Sequence, residues 1–286
     1  RMNKKIVVIG GMNVDILATS YQTFQSFDSN PGSHIIDSGG VGFNIAYDLR
    51  LLDYDVTFFT VIGQDHFGPF LKDACISHHI KVYSPQSELS SLYLSLFNQD
   101  GNMQGAIASM DAMKHLTKAF LKDYETMLFE ADVLICDTNV SIEVLTYISH
   151  LHHPFKVIEL VSQEKAIKIK QLVAGFHVIK GNDAEIHHLF NDDIQSSIKD
   201  HHVVIITNQM KQARLITKEK IMTYPIEKAE DIINTSGAGD AFLVGCIDGF
   251  INQKEILKQG HLMSICALKS KSSKMLKECV DAYKNE

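Results

Sequence analysis

Six short apolar runs, rich in β-branched residues, constrain the fold of this 286-residue chain more than any other feature. They are Ile6–Ile9, Val56–Ile62, Val133–Cys136, Val157–Val161, His177–Ile179 and Val203–Thr207. Their apolar residues are continuous rather than alternating, which is the pattern of strands covered on both faces. Helical spacings lie between them. Ile45, Ala46, Leu49 and Leu52 fall on one helix face, and Ile142, Leu145 and Ile148, then Ile167 and Leu172, suggest others. Strand alternating with helix predicts an α/β chain with a mostly parallel central sheet and helices on both sides.

Two regions depart from that alternation. Residues Ile16–Asp37 are polar and turn at Asn30-Pro31-Gly32. Residues Leu89–Ala108 alternate apolar and polar around Leu92, Leu94 and Leu96, with a turn at Asp100-Gly101. Alternation predicts half-exposed antiparallel strands. Both regions are read as parts of a small β-sheet lid, built from about 16–37 and 89–108 and inserted in a single domain spanning 1–286. No linker, low-complexity tract or internal repeat interrupts the chain. The late stretch Lys269–Glu278, KSKSSKMLKE, reads as a solvated basic surface.

Charge and composition narrow the class. A formal net charge of -7 disfavours nucleic acid as a partner, because the chain would repel a phosphate backbone. No apolar run approaches the roughly 18 residues of a membrane span, and the apolar start of RMNKKIVVIGG is cut short by glycines, unlike a secretory signal. The cysteines, Cys75, Cys136, Cys246, Cys266 and Cys279, each sit among apolar residues without a CxxC. That predicts reduced, buried thiols in a cytoplasmic protein. The histidine pairs 78–79, 152–153, 187–188 and 201–202 point to different faces and read as surface positions rather than metal ligands.

Chemistry concentrates late in the chain, at Asn234-Thr235-Ser236-Gly237-Ala238-Gly239-Asp240. Ile232 and Ile233 lead in, and Phe242, Leu243, Cys246, Ile247 and Phe250 follow on one helix face. Gly237-Ala238-Gly239 is then a strand-to-helix turn of small residues whose N–H groups can approach a phosphate. The helix N-terminus adds positive potential, which makes an anion hole. Asp240, in the first helical turn, is placed to take a proton from an attacking hydroxyl. Alone, the motif reads first as a helix N-cap aspartate after a glycine turn, and the other motifs change that balance.

Other polar groups end strands, where parallel sheets bind ligands. Asn13 and Asp15 follow the first strand, suited to vicinal hydroxyls. Gly39-Gly40 opens a helix carrying Asn44, within reach of a sugar hydroxyl. Lys180-Gly181-Asn182-Asp183-Ala184-Glu185 follows the His177–Ile179 strand. Asn182 and Glu185 form a capping box or, functionally, oxygens near hydrated Mg²⁺ and ATP phosphates. There is no GxxxxGK[ST], so a P-loop is excluded.

These elements, in this order, resemble the ribokinase-like (phosphofructokinase-B type) family of carbohydrate and nucleoside kinases. Val61-Ile62-Gly63-Gln64-Asp65-His66-Phe67-Gly68 also looks like the family's V-G-x-D-x-x-G. The resemblance implies a three-layer α/β/α fold with a β lid, and transfer of phosphate from ATP, with Mg²⁺, to a hydroxyl of a small sugar or nucleoside. It implies Asp240 as base, Gly237, Ala238 and Gly239 as anion hole, and Asn13, Asp15, Gly39, Gly40 and Asn44 as substrate-binding. Lys180, Asn182, Thr207 and Ser236 would meet the nucleotide, and Asn182 and Glu185 the metal, through water. Within the family the chain is most similar to the pseudouridine kinases, through Ser29-Asn30-Pro31-Gly32, Gly39-Gly40-Val41-Gly42, Ala108-Ser109-Met110-Asp111 and Glu159-Leu160-Val161-Ser162. The implied reaction is phosphorylation of pseudouridine at its 5′-hydroxyl. Ribose-, fructose- or adenosine-type kinases, and a catalytically silent binder on the same fold, stay open.

Three departures carry expectations. Thr207–Ala213 lacks the glycines of the family's T-x-G-x-x-G, so Gln209 and Gln212 are expected to crowd the nucleotide. Phe43 stands where the pseudouridine kinases commonly have arginine. Asn234 replaces an aspartate, which bears on activation by a monovalent cation such as K⁺. A free lid face predicts a homodimer through the lid.

Overall fold

A computed structural model describes residues 4–190, 193–208, 211–226 and 232–284. The strands are β1 (Lys5–Ile9), β2 (Asn13–Ser20), β3 (Gly32–Gly39), β4 (Asp55–Phe59), β5 (Lys81–Tyr83), β6 (Leu92–Phe97), β7 (Met103–Ser109), β8 (Val133–Asp137), β9 (Lys156–Glu159), β10 (Val178–Asn182), β11 (Val203–Asn208), β12 (Gln212–Ile216) and β13 (Ile221–Pro225). The helices are α1 (Val41–Leu51), α2 (Phe67–Ser77), α3 (Lys118–Lys122), α4 (Glu125–Glu130), α5 (Ile142–His150), α6 (Gln163–Ala166), α7 (Asp183–Phe190), α8 (Ile194–Ser197), α9 (Ala238–Asn252), α10 (Ile256–Leu268) and α11 (Lys277–Lys284).

The predicted parallel sheet is present. Nine strands run in the order β13-β12-β11-β10-β9-β8-β1-β4-β5, parallel from β11 to β5, with β12 and β13 antiparallel at one edge. Continuous apolar strands supply both faces. Ile6 and Val8 of β1 join a core with α1, α2, α9 and α10, while Val7 and Ile9 join a second core with α4, α5 and α7. Helices on both faces of one sheet make three layers. α9 and α10 lie in close contact: a Cβ on Gly245 would sit 2.3 Å from Gln259 O.

The alternating segments form a separate four-stranded sheet, β3-β2-β6-β7. Its outer pairs are antiparallel and its central pair, β2 with β6, is parallel. β2 leaves the end of β1 directly, which anchors the small sheet beside the carboxyl ends of the large one. Asp65 fastens its other root: it accepts from Ser90 N at 2.8 Å and Ser90 Oγ at 2.7 Å, just before β6, and from Gly68 N at 3.1 Å in α2.

The structure corrects several expectations. Of the histidines read as surface positions, His153 and His202 are buried, His153 because its ring bonds to Ala131 O at 2.9 Å. Ile167 and Leu172 do not share a regular helix; 163–175 folds as the short α6 and two 3₁₀ turns. The segment must turn tightly there because Gly175 abuts α5, where a Cβ would lie 2.4 Å from Ser149 O. Ile232 and Ile233 are exposed and form no strand; Ile233 N donates to Leu268 O at the end of α10, so α9 is entered from a loop. The KSKSSKMLKE stretch is a solvated surface only in part: Lys269, Lys271, Lys277 and Glu278 are exposed, but Ser270, Ser273, Lys274 and Met275 are buried. Lys274 finds a carboxylate and carbonyl inside the fold, which removes the need for water. Finally, Cys266 and Cys279 are joined by a disulfide, since α10 and α11 bring their Cα atoms to 5.4 Å. Cys75, Cys136 and Cys246 are free and buried. None of the described helices is long and apolar enough to cross a membrane.

Candidate active site

α9 begins at Gly237, whose φ of 77° lies in the left-handed region that favours glycine. Steric contact reinforces the choice, because a Cβ there would lie 1.8 Å from Ser273 O. Ala241 N donates to Gly237 O at 2.9 Å, so the N–H groups before it are left to point out of the helix end. Gly239 lies directly over Lys180, where a Cβ would be 3.1 Å from Nζ. The small-residue turn therefore exposes backbone donors with a buried cation behind them.

Asp240 is 8% exposed. Its Oδ2 accepts from Asn44 Nδ2 at 2.9 Å. Burial pushes its carboxyl up to about 6, while Lys180 and the Asn44 hydrogen bond pull the other way; Asp137 and Glu185 push it further up. Such a group is ionised at neutral pH yet basic enough to hold a proton in transit.

Asn44 is brought there by α1. That helix starts at Gly40, φ 100°, where any side chain would meet Gly11 O and Asn13 Oδ1. Asn13 Nδ2 donates to Asp15 Oδ1 at 2.6 Å, and the Asp15 carboxylate lies across the backbone of Gly39. Burial raises Asp15 to about 6 against the Asn13 hydrogen bond. The sequence-predicted Asn13, Asp15, Gly39, Gly40 and Asn44 thus converge on one wall, and Asn44 links that wall to Asp240.

Lys180 and Glu159 form a buried ion pair at 2.9 Å. Burial pushes the Glu159 carboxyl up, and the Lys180 ammonium beside it pulls it back down. Burial works against the charge on Lys180 too, but Glu159, Asp240 and Glu185 outweigh it and raise its pKa, so the ammonium stays charged. Lys180 therefore sits beneath the glycine turn rather than in open contact with solvent.

Asn182 and Glu185 make a reciprocal capping box: Asn182 N and Nδ2 donate to Glu185 at 2.8 and 2.9 Å, and Glu185 N donates to Asn182 Oδ1 at 2.9 Å. Next to them a cleft of about 630 Å³ is lined by Asn182, Thr207, Asn208, Ala238, Gly239 and Phe242. Ser236 N donates to Asn234 Oδ1 at 2.9 Å, so the neutral Asn234 closes the turn into α9. Gln212 opens β12 opposite Asn208, whereas Gln209 lies outside the described residues.

Several neighbours were not singled out from the sequence. Asp137, the acid ending β8, is buried and accepts from Gly11 N at 2.9 Å and Asn139 N at 2.8 Å; burial raises its pKa. Lys274 pairs with Asp37 at 2.9 Å, and Ser273 Oγ donates to Asn44 Oδ1 at 3.0 Å. Phe43, where arginine was the expected residue, is fully buried in the core, and Lys274 Nζ stands 5.6 Å above its ring. An acid closing an apolar run was a readable hint for Asp137. Nothing local marked Ser273 or Lys274.

The pfkB family carbohydrate kinase model matches residues 3–277, and the chain belongs to that family. It is 27% identical to an uncharacterized sugar kinase YeiI of Escherichia coli K12, over 93% of this chain and 78% of that one. It is 28% identical to the pseudouridine kinase of the same organism, over 84% and 82%. The fold matches ribokinase of Thermotoga maritima with a TM-score of 0.80 at 17% identity, covering 99% of this chain and 100% of that one. The chain is therefore a ribokinase-like phosphotransferase with an alcohol group as acceptor, acting in the sugar and nucleoside class.

Proposed function

We propose that the chain phosphorylates the 5′-hydroxyl of pseudouridine from ATP. The observation that carries the kinase reading is Asp240, buried at the first turn of α9 and held by Asn44 beside the glycine turn. The nucleoside reading is supported by the small sheet. Its register sets Tyr93 level with Asp15, with Asp37 in the same row. Paired residues share a face, so an aromatic ring accompanies the carboxylate that would hold ribose hydroxyls. A planar base has a stacking partner there.

In this reading the small sheet acts as a lid over the ribose, and Asn13 and Asp15 hold its vicinal hydroxyls. Asp240 takes the 5′-hydroxyl proton as that oxygen attacks the γ-phosphorus; the bond from that phosphorus to the β–γ bridging oxygen breaks, and ADP leaves with the bridging oxygen's electrons. N–H groups of Ala238 and Gly239 meet the developing charge, with Lys180 behind them. The nucleotide lies in the cleft beside Thr207 and Ser236. Mg²⁺ fits here as a hydrated ion: Asn182 uses two of the roughly four lone-pair positions of Glu185, which leaves the others for metal-bound water. Bound in that way, it would neutralise phosphate charge. K⁺ activation would rest on backbone carbonyls, because Asn234 brings no charge. A cytoplasmic setting, where ATP is supplied, belongs to the same proposal.

A coupled ADP-release assay with ATP and Mg²⁺ tests it on pseudouridine, uridine, cytidine, adenosine, ribose and fructose. Pseudouridine is expected to give the highest kcat/KM, about tenfold or more above ribose, the worth of one well-placed contact set. Ribose or fructose leading the panel would replace the substrate; no turnover on any would reject the kinase reading.

The lid also carries the dimer proposal. Ile36, Ile16, Leu94 and Ile107 form one row across the small sheet, and its two ends are exposed at 45% and 65%. A second copy related by a two-fold axis covers such a row with its own. Sedimentation at micromolar concentration is expected to give a dimer, and the double change Ile36→Lys with Ile107→Lys a monomer. A monomer from the unchanged chain would reject the interface.

A further inference from the structure

The buried segment between α10 and α11 touches the reacting carboxylate through one intermediary. Ser273 Oγ donates to Asn44 Oδ1 at 3.0 Å, and Asn44 Nδ2 donates to Asp240 Oδ2 at 2.9 Å. We propose that Ser273 is a positioning residue for the phosphoryl transfer: its hydroxyl fixes which end of the Asn44 amide faces Asp240. This rests on Asp240 acting as the base.

An asparagine amide offers a carbonyl on one side and an N–H₂ on the other. Only the N–H₂ end suits an ionised Asp240; turned over, the amide would set oxygen against oxygen. The Ser273 hydroxyl, donating to the carbonyl, holds the amide in the useful sense and polarises it towards Asp240. The amide is 5% exposed and Ser273 7%, so water does not readily replace either contact.

The segment is itself held on every side. Ser273 O packs on Gly237, and Met275 N donates to Asp48 Oδ1 at 2.8 Å. Lys274 reaches Asp37 of β3, and the Cys266–Cys279 disulfide closes a loop of sequence separation 13 around the segment. A hydroxyl carried on so restrained a backbone is set in place before substrate arrives.

The experiment is steady-state kinetics of Ser273→Ala and Ser273→Thr across pH, on whichever substrate the chain turns over. The other charged groups around Asp240 are Lys180, Glu159, Glu185, Asp137 and Asp48, and neither change touches them. Ser273→Ala is expected to lower kcat about tenfold, leave both KM values within about twofold, and move the acid limb of kcat/KM to higher pH. The limb moves up because the carboxylate loses an oriented donor. Ser273→Thr keeps the hydroxyl and is expected to restore the limb. A folded Ser273→Ala variant with unchanged kcat and unchanged acid limb overturns the proposal. So does a threonine variant that matches alanine. Absence of turnover in the Asp240-intact chain would instead reject the kinase reading itself.

Discussion

Replacing Asp240 with asparagine is expected to slow turnover by about a thousandfold while leaving sugar or nucleoside binding nearly intact, the range a lost general base gives. Asparagine keeps the size and the hydrogen bond to Asn44 but cannot accept the proton. The pH profile separates this from simple disruption. With the Asp240 carboxyl raised to about 6, kcat/KM in the native chain should climb as pH passes through 6. In Asp240→Asn that contribution to the limb disappears from kcat, whereas Asp15, also near 6, would still act through KM. Stability should move the opposite way. A carboxyl whose folded pKa is raised from 3.8 to about 6 favours the folded state at low pH and loses that contribution as pH rises through 6. At pH 7 the buried charge is therefore a burden, and the variant should melt at the same temperature or higher. A variant that keeps native turnover rejects Asp240 as base; one that melts lower shows that the carboxylate holds the fold.

Gly237→Ala has the second large expected effect, on fold and function together. The left-handed backbone alone makes an alanine unfavourable by ~1–2 kcal/mol. The added carbon also meets the Ser273 carbonyl at 1.8 Å, which is backbone held by a disulfide loop and yields only if the chain itself moves. Either the start of α9 or the segment carrying Ser273 must shift, and both shape the anion hole. Turnover is expected to fall about a hundredfold, the scale of an ångström-level misplacement. The melting temperature should fall by roughly 5–10 °C. Gly101→Ala is the control: its φ of 78° is the same, but nothing lies within 4 Å. That variant should show the backbone penalty alone and keep native kinetics. Equal behaviour of the two would mean that the Gly237–Ser273 contact has no role in the site.

The sequence carried the central sheet plainly because buried parallel strands need continuous apolar residues, and six such runs mark six of the strands. It carried the small sheet as well, since one half-exposed face forces alternation. It marked Asp240, Asn44 and the Asn182–Glu185 pair because glycines and helix starts must stand beside them. Ser273 and Lys274 were illegible for a physical reason. A lysine-serine run has the composition of a wet surface, and only long-range partners, Asp37, Asn44 and Asp48, take it out of water. The Cys266–Cys279 bond was hidden likewise, because pairing depends on how α10 and α11 dock rather than on spacing. Val161 escaped too: it reads as strand, yet it leaves β9 with a φ of 62°, a strained value for a β-branched side chain.

The span of the hydrogen bonds at Asn44 bears on how the chain comes to be active. Asn44 meets Asp240 across 196 residues and Ser273 across 229. Contacts between such distant parts form only after large loops have closed, late in folding. A half-folded chain can hold helices and much of its sheet, but in it Asp240 is not yet oriented by Asn44, nor Asn44 by Ser273. In the proposed mechanism, phosphoryl transfer therefore waits on the native state as a whole.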